Sequence, residues 1–317
     1  MKVKKAVPAF VFFGLTTMLL LVGYANATMS RPQWHDYSGN HCLSFDGIDD
    51  YVSCSSLAYR ANALTIELWV KPNYTIQTGS NTSYGHMLGA IISSTATWVG
   101  QDNGQGGWAL YFDYSDGHLY FKYRQAPTYY VGVVVTIGTN RDLWNSSSWY
   151  HITITYSSDT GLAFYVNKTI DKTTPSDGRR IQYDTSELDM GGYSNSGYMF
   201  KGLIDEVRLW NVSRTYSEIS DCWDRVLNDT ECNSPSLVGY WRFDEGVGME
   251  SEDFSLQGNN ASLGLEPYDP AWVIIPEFPS FLILPLFMIA TLLAITLYRR
   301  KRVGIHREDG SASLSSS

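Results

Sequence analysis

Residues 64–70 read Leu-Thr-Ile-Glu-Leu-Trp-Val. In an extended chain Leu64, Ile66, Leu68 and Val70 share one face, and Thr65, Glu67 and Trp69 the other, because successive side chains alternate across a strand. His151-Ile-Thr-Ile-Thr-Tyr156 repeats the pattern, with Ile152, Ile154 and Tyr156 set against His151, Thr153 and Thr155. Trp108–Phe112, His118–Tyr123, Tyr129–Ile137 and Leu162–Val166 are further β-branched or aromatic runs. Turn signals separate them: Asp116-Gly117, Asp159-Thr-Gly161, Asp177-Gly178 and Gly191-Gly192. Many short strands with frequent turns predict an all-β, antiparallel sandwich or barrel. Tyr216–Leu227 is the one helical stretch, capped by Thr215 or Ser217.

The two ends of the 317-residue chain differ from this pattern. Residues 1–27 read as a signal peptide, with Lys2, Lys4 and Lys5, an apolar run over 6–22, and Ala25-Asn26-Ala27 at the cleavage position. Residues 28–40 form a lead. Residues 281–298 carry no charge and suffice to span most of a bilayer core as a helix; Arg299, Arg300, Lys301 and Arg302 follow, and residues 299–317 make a basic tail. Basic residues stay on the cytoplasmic side, so the bulk of the chain is expected outside the cell. Residues 28–275 hold 29 Asp and Glu against 15 Lys and Arg. Such an acidic surface repels nucleic acid and anionic lipid, and favours divalent cations where carboxylates converge.

All four cysteines, Cys42, Cys54, Cys222 and Cys232, fall in the exported part. An even count in an oxidising compartment points to disulfides. Of three pairings the favoured one joins Cys42 to Cys54, across a hairpin whose loop is Asp46–Asp50, and Cys222 to Cys232 across a short loop. No C-x-x-C spacing supports zinc. Sequons at Asn73, Asn81, Asn145, Asn167, Asn211, Asn228 and Asn260 suggest a glycosylated exterior.

Several stretches carry a resemblance. Leu43–Val52, Leu64–Pro72, Trp149–Tyr156, Thr160–Asn167 and Phe200–Asn211 with Ser217–Ile219 resemble, in order, the strands of LamG-like (concanavalin A-like) jelly-roll domains, over about residues 41–220. Leu237–Gly246 and Ala271–Val273 belong to the same group. They are expected to add terminal strands to one sandwich of residues 41–275, or else to be the stump of a second copy. Ile275–Pro279, the apolar run and the basic cluster resemble archaeal PEF-CTERM sorting signals, with the motif at 276–280. That resemblance implies an archaeosortase-type processing enzyme as partner. Such signals end soon after the basic cluster, whereas this chain continues to Ser317, so a plain membrane anchor stays an alternative.

The parity of Asp205 places it with Leu203, Val207 and Leu209. A carboxylate on a core face needs partners. Asp46, Asp49 and Asp50 crowd a turn, and the resemblance implies a structural calcium at the rim, held by these four aspartates; calcium takes six to eight oxygens. Asp244, Asp253 and Asn259 are a weaker second set. Trp69, Trp108, Tyr111 and His151, with Trp98, Trp144 and Trp149, are candidates for stacking on sugar rings. Catalysis finds little support: Asp205 and Glu206 are adjacent and point to opposite faces, Glu67 stands alone, and no nucleophile motif is present. The expectation is a non-catalytic carbohydrate-binding or adhesion module at the cell surface, its partners surface glycans or envelope proteins. A structural envelope component is the alternative, and a polysaccharide hydrolase a third reading.

Overall fold

The computed structural model describes residues 41–55, 57, 62–79, 88–95, 106–126, 133–183, 186–192, 198–275, 291 and 295. The signal-peptide stretch, the 276–280 motif, the basic tail, Trp98 and Asn81 lie outside these. Of 281–298 only Thr291 and Ile295 are described, both helical. Among the described residues no helix is long and apolar enough to cross a membrane.

The strands run β1 (His41–Asp46), β2 (Val52–Cys54), β3 (Ala63–Pro72), β4 (Leu88–Ser94), β5 (Trp108–Asp113) and β6 (Leu119–Arg124). Then come β7 (Val134–Gly138), β8 (Tyr150–Ser157), β9 (Gly161–Val166), β10 (Thr169–Thr174), β11 (Leu188–Met190) and β12 (Lys201–Trp210). Two short helices, α1 (Tyr216–Cys222) and α2 (Asp229–Cys232), precede β13 (Leu237–Trp241), β14 (Glu250–Ser251), β15 (Ala261–Leu263) and β16 (Ala271–Ile274). One sheet has the order β10-β9-β8-β3-β12-β1-β16, with β13 also on β12. The other runs β14-β15-β2-β11-β4-β5-β6-β7. All strand pairs are antiparallel. The sheets enclose one core in which Leu64, Ile66, Leu68 and Val70 of β3 meet Trp108, Leu110 and Phe112 of β5. Rings interlock there: Phe112 meets Trp144 edge-on at 5.1 Å, and Trp144 meets Tyr150 at 5.0 Å. The segment after α2 serves both sheets, since β13 and β16 join the first and β14 and β15 the second.

Two sequence expectations fail here. Residues 42–54 are not a hairpin: β1 pairs with β12 and β16, while β2 pairs with β11 and β15, so the 46–51 link crosses between sheets. Cys42 lies on the outer face of the first sheet beside Trp69 and Trp149, whereas Cys54 points into the core. They cannot bond. Cys222 and Cys232 pack in one cluster, yet both are free thiols. The Cys222 Sγ turns to the Glu218 carbonyl and the Arg214 guanidinium, and that of Cys232 toward the Leu227 carbonyl.

The parity of Asp205 is the second correction. A β-bulge interrupts the β12–β3 register between Asp205 and Arg208. Glu206 is the extra residue and adopts a left-handed φ of 52°, its N–H donating to Asp205 Oδ1 at 2.9 Å. Ile204 and Val207 therefore both face the core, and Asp205 stands outside it, opposite Trp69. It also lies four residues along β12 from Lys201, the partner of Asp46, about 13 Å at strand rise. Asp205 cannot join the aspartate turn as a fourth ligand.

Candidate functional site

On the outer face of the second sheet Tyr111 of β5 lies directly across from Tyr120 of β6, their rings stacked at 5.7 Å. Alternation explains the placement: Leu110, Phe112, Leu119 and Phe121 take the core side, leaving these tyrosines outward. Tyr111 is nearly buried among Ala90, Ala109 and Tyr120, while Tyr120 is half-buried. The Tyr120 hydroxyl donates to Asp116 Oδ2 at 2.7 Å, and burial followed by that carboxylate pushes it up to about 12. It stays a phenol at any physiological pH. Burial also lowers the neighbouring Lys122 ammonium. On β7, Gly138 faces Tyr120, where a Cβ would come within 2.5 Å of the ring. Its bareness keeps the ring accessible.

A cleft of about 530 Å³ opens beside Tyr120, walled by His118, Thr136, Asn140 and Lys172. Asp171 of β10 fixes one wall by accepting from the N–H groups of Asn140 at 2.6 Å and Arg141 at 3.2 Å. An aromatic floor with hydroxyl, amide, imidazole and ammonium groups around it suits a sugar ring, whose faces are apolar and whose edge is polar.

The 46–51 link gathers Asp46, Asp49 and Asp50, whose ligand oxygens lie within 4.8 Å of one another. Gly47, at φ 78°, makes the tight turn. Asp50 Oδ2 accepts from the Asp46 N–H and Asp46 Oδ1 from the Ile48 N–H, each at 2.7 Å. Burial, then the charges of Asp46, Asp49 and Asp269, raise Asp50 from 3.8 to about 6. Crowded like charges of this kind favour a proton or a divalent cation. Three residues offer half of the oxygens calcium takes, the remainder falling to carbonyls and water, so the donor set fits a hard cation.

Over Glu67, Glu206 and Arg208 the outer face of the first sheet is covered. A bidentate capping box at Thr215 and Glu218 starts α1, and the chain from 212 to 233 lies over β3, β8 and β12. Thr65 pins it, donating to the Val212 carbonyl at 2.7 Å and accepting from the Arg214 N–H at 2.9 Å. Beneath sit Glu67, bound by Arg214 at 2.5 Å, and Glu206, bound by Arg208 at 2.9 Å. Arg208 also donates to the carbonyls of Cys222 and Arg225, and the Tyr240 hydroxyl donates to Glu206 at 2.6 Å. Burial alone would lower the Arg208 guanidinium, but Tyr240, Glu206 and Glu67 hold it above its ordinary value. Burial, with Arg208 and Arg214, pushes His151 well below 6.5, so it is neutral at pH 7.

The structure thus scatters the expected aromatic site. Trp69 and His151 are both 1% exposed, roofed by Trp223, which stacks on Trp69 at 5.6 Å. Trp108 and Trp144 are core residues, and Trp149 is buried beside Trp69. None of these offers a face to solvent, and Tyr111, 6% exposed, backs the Tyr120 ring rather than opening to solvent itself. Asp253 is saturated by four hydrogen bonds, from Tyr240, Ser255 twice and Asn259, and Asp244 is bound to Arg242 at 2.8 Å. Of the described sequon asparagines none is buried. Tyr120 was missed although its signal was present: it occupies the polar phase of His118–Tyr123, one strand from Tyr111.

No curated protein matches the chain. Among solved structures, one of a proposed carbohydrate-binding protein from Bacteroides ovatus superposes with a TM-score of 0.54 at 17% identity, covering 76% of this chain and 61% of that one. The chain therefore spans about three fifths of that protein's length. The heptameric SAP-like pentraxin from Limulus polyphemus is similar at a TM-score of 0.42 and 18% identity, covering 73% of this chain and 97% of that one. The family model for concanavalin A-like lectin/glucanases matches residues 46–220, more than half the chain. With two antiparallel sheets around a single core, the chain belongs to the concanavalin A-like lectin/glucanases superfamily.

Proposed function

We propose that the chain is a non-catalytic carbohydrate-binding module, displayed on the outer side of the membrane, that holds a sugar chain on the Tyr111–Tyr120 face of its second sheet. The observation that carries this reading is the half-buried Tyr120 ring at the floor of a 530 Å³ cleft with polar walls. That size lies within the range of small-ligand sites. The likeness to the Bacteroides ovatus protein is consistent with it. The non-catalytic reading rests on Glu67 and Glu206, which share a face but are buried beneath α1 and bound by arginines, out of reach of a substrate. Export, surface display on the apolar segment at 281–298, and a sorting partner belong to the same proposal and rest on the sequence. A glycan array tests it. Tyr120→Ala is expected to weaken retention about tenfold or more, the loss of roughly 1.4 kcal/mol or above that a stacked aromatic anchor supplies. Retention unchanged in Tyr120→Ala refutes the site. No retention of any glycan by the unaltered protein favours the structural-envelope reading, and release of reducing sugar from polysaccharide an enzyme.

The proposal includes a calcium ion at Asp46, Asp49 and Asp50. Between pH 4 and 6 the folded Asp50 holds a proton that the unfolded chain has released, so this group's contribution falls as pH rises through that window and is a net cost, on the order of 1 kcal/mol, at pH 7. A bound cation offsets it. Calcium at a hundred times its Kd is expected to raise stability by about 2.7 kcal/mol, roughly 5–10 °C in Tm, at pH 7.5 and much less at pH 4.5. In chelator Asp50→Asn melts higher than the unaltered protein at pH 7.5. A melt indifferent to calcium and chelator at pH 7.5 removes the ion from the account.

A further inference from the structure

The first sheet carries a second cleft, of about 740 Å³, beside the chain that roofs its charged patch. Its floor is the outward row of β8 and β9: Thr155, Ser157, Gly161 and Ala163. One wall is the 173–175 end of β10, and the other is the 212–215 segment held down by Thr65. Tyr165 closes one end and stacks on Tyr216 at 6.3 Å; Tyr216 is 51% exposed. Burial raises the Tyr165 hydroxyl, which bonds to Thr155.

Its chemistry narrows the occupant. Half of the lining residues bear a hydroxyl, chiefly threonines and serines on the floor and both walls, set among apolar surface. The two charged side chains there do not ask for an ion. Arg214 is committed to Glu67, the Glu218 carbonyl and the Cys222 Sγ, and lies 4.2 Å over the Trp210 ring. Asp159 is exposed at the far end, where it repels anions. Small residues on the floor leave room for a flat ring, and the Tyr165–Tyr216 pair offers an aromatic edge. A nucleotide or an acidic glycan finds no free cation among these lining residues.

We propose that this cleft is a second saccharide subsite for a neutral, hydroxyl-rich chain, so that a single domain grips sugar on both sides of β10, whose Thr174 borders this cleft and the Tyr120 cleft alike. The proposal stands independently of the Tyr120 site. The test is titration calorimetry of the full chain, produced without N-glycans and kept in a sugar-free detergent, against neutral hexasaccharides of β-1,3-glucan, β-1,4-glucan, α-1,4-glucan and β-1,4-mannan. Two sites per chain are expected for at least one probe. Tyr216→Ala, at a half-exposed position, and Ala163→Trp, which fills the floor, each remove one site or weaken it tenfold or more. Tyr120→Ala protein keeps the cleft's binding. Affinity and stoichiometry unchanged in both cleft variants overturn the proposal, as does absence of all binding in Tyr120→Ala protein. If Tyr120→Ala changes nothing while Tyr216→Ala abolishes binding, the platform reading fails and the cleft stands.

Discussion

Arg208→Met is expected to lower the unfolding free energy by about 3–5 kcal/mol, the cost of stranding buried charges by removing one partner. Arg208 is 1% exposed and lies 2.9 Å from Glu206 and 3.9 Å from Glu67. Its guanidinium also donates to the Cys222 and Arg225 carbonyls, and it sits 5.2 Å over the Tyr240 ring. Methionine fills much of the volume but takes the guanidinium from Glu206, which keeps the Tyr240 hydroxyl, and strips two carbonyls of their Arg208 donor in a place water does not reach. The internal control is Arg225→Met. Its pair with Glu231 is bidentate, at 2.6 and 2.7 Å, yet the two side chains are 37% and 26% exposed. Solvent screening holds that loss to about 1 kcal/mol or less. Urea unfolding at pH 7 measures both. Equal, small losses contradict the picture of a charged layer clamping the 212–233 segment onto the sheet.

Asp253→Ala is expected to cost about 3 kcal/mol and to loosen the C-terminal strands. The carboxylate is 6% exposed and organises a turn by itself: Oδ1 accepts from the N–H groups of Tyr240 and Ser255, at 2.9 and 2.8 Å, and Oδ2 from the Ser255 hydroxyl and the Asn259 N–H, at 2.7 and 2.8 Å. Alanine strands several of these donors, each worth about 1–3 kcal/mol when buried. Because β14 and β15 extend the second sheet while β16 edges the first, the variant is expected to become sensitive to limited proteolysis between residues 245 and 270. Chelator should not reproduce the effect, since this aspartate serves the backbone. A loss below 1 kcal/mol with no new cleavage contradicts that assignment.

The period-two pattern at 64–70 and 151–156 was sufficient for the architecture, because a strand buried on one face must alternate. It was insufficient where backbone geometry departs from the ideal. One extra residue at Glu206 inverted the parity read for Asp205, and no local signal marks a bulge that depends on the partner strand. The Cys42–Cys54 pairing failed for a related reason: thirteen residues of hairpin-like spacing cannot tell a turn within one sheet from a link between two. Exposure was the other illegible quantity. Trp69 and His151 do stand on the polar phase of their strands, but a roof supplied by Trp223, far along the chain, buries them. The aspartate turn was legible because its three carboxylates are neighbours in sequence. The Tyr111–Tyr120 face was half legible, since cross-strand pairs follow from register and only Tyr111 was read as outward and aromatic.

The most direct test of the central reading is amide hydrogen exchange of the purified protein with and without the glycan it retains best on an array. Added protection over residues 116–122 and 134–140, where Tyr120, His118 and the Asp171-clamped wall lie, is the result the account predicts. Tight retention of a glycan with exchange in both stretches unchanged would contradict it, placing sugar recognition elsewhere on the sandwich.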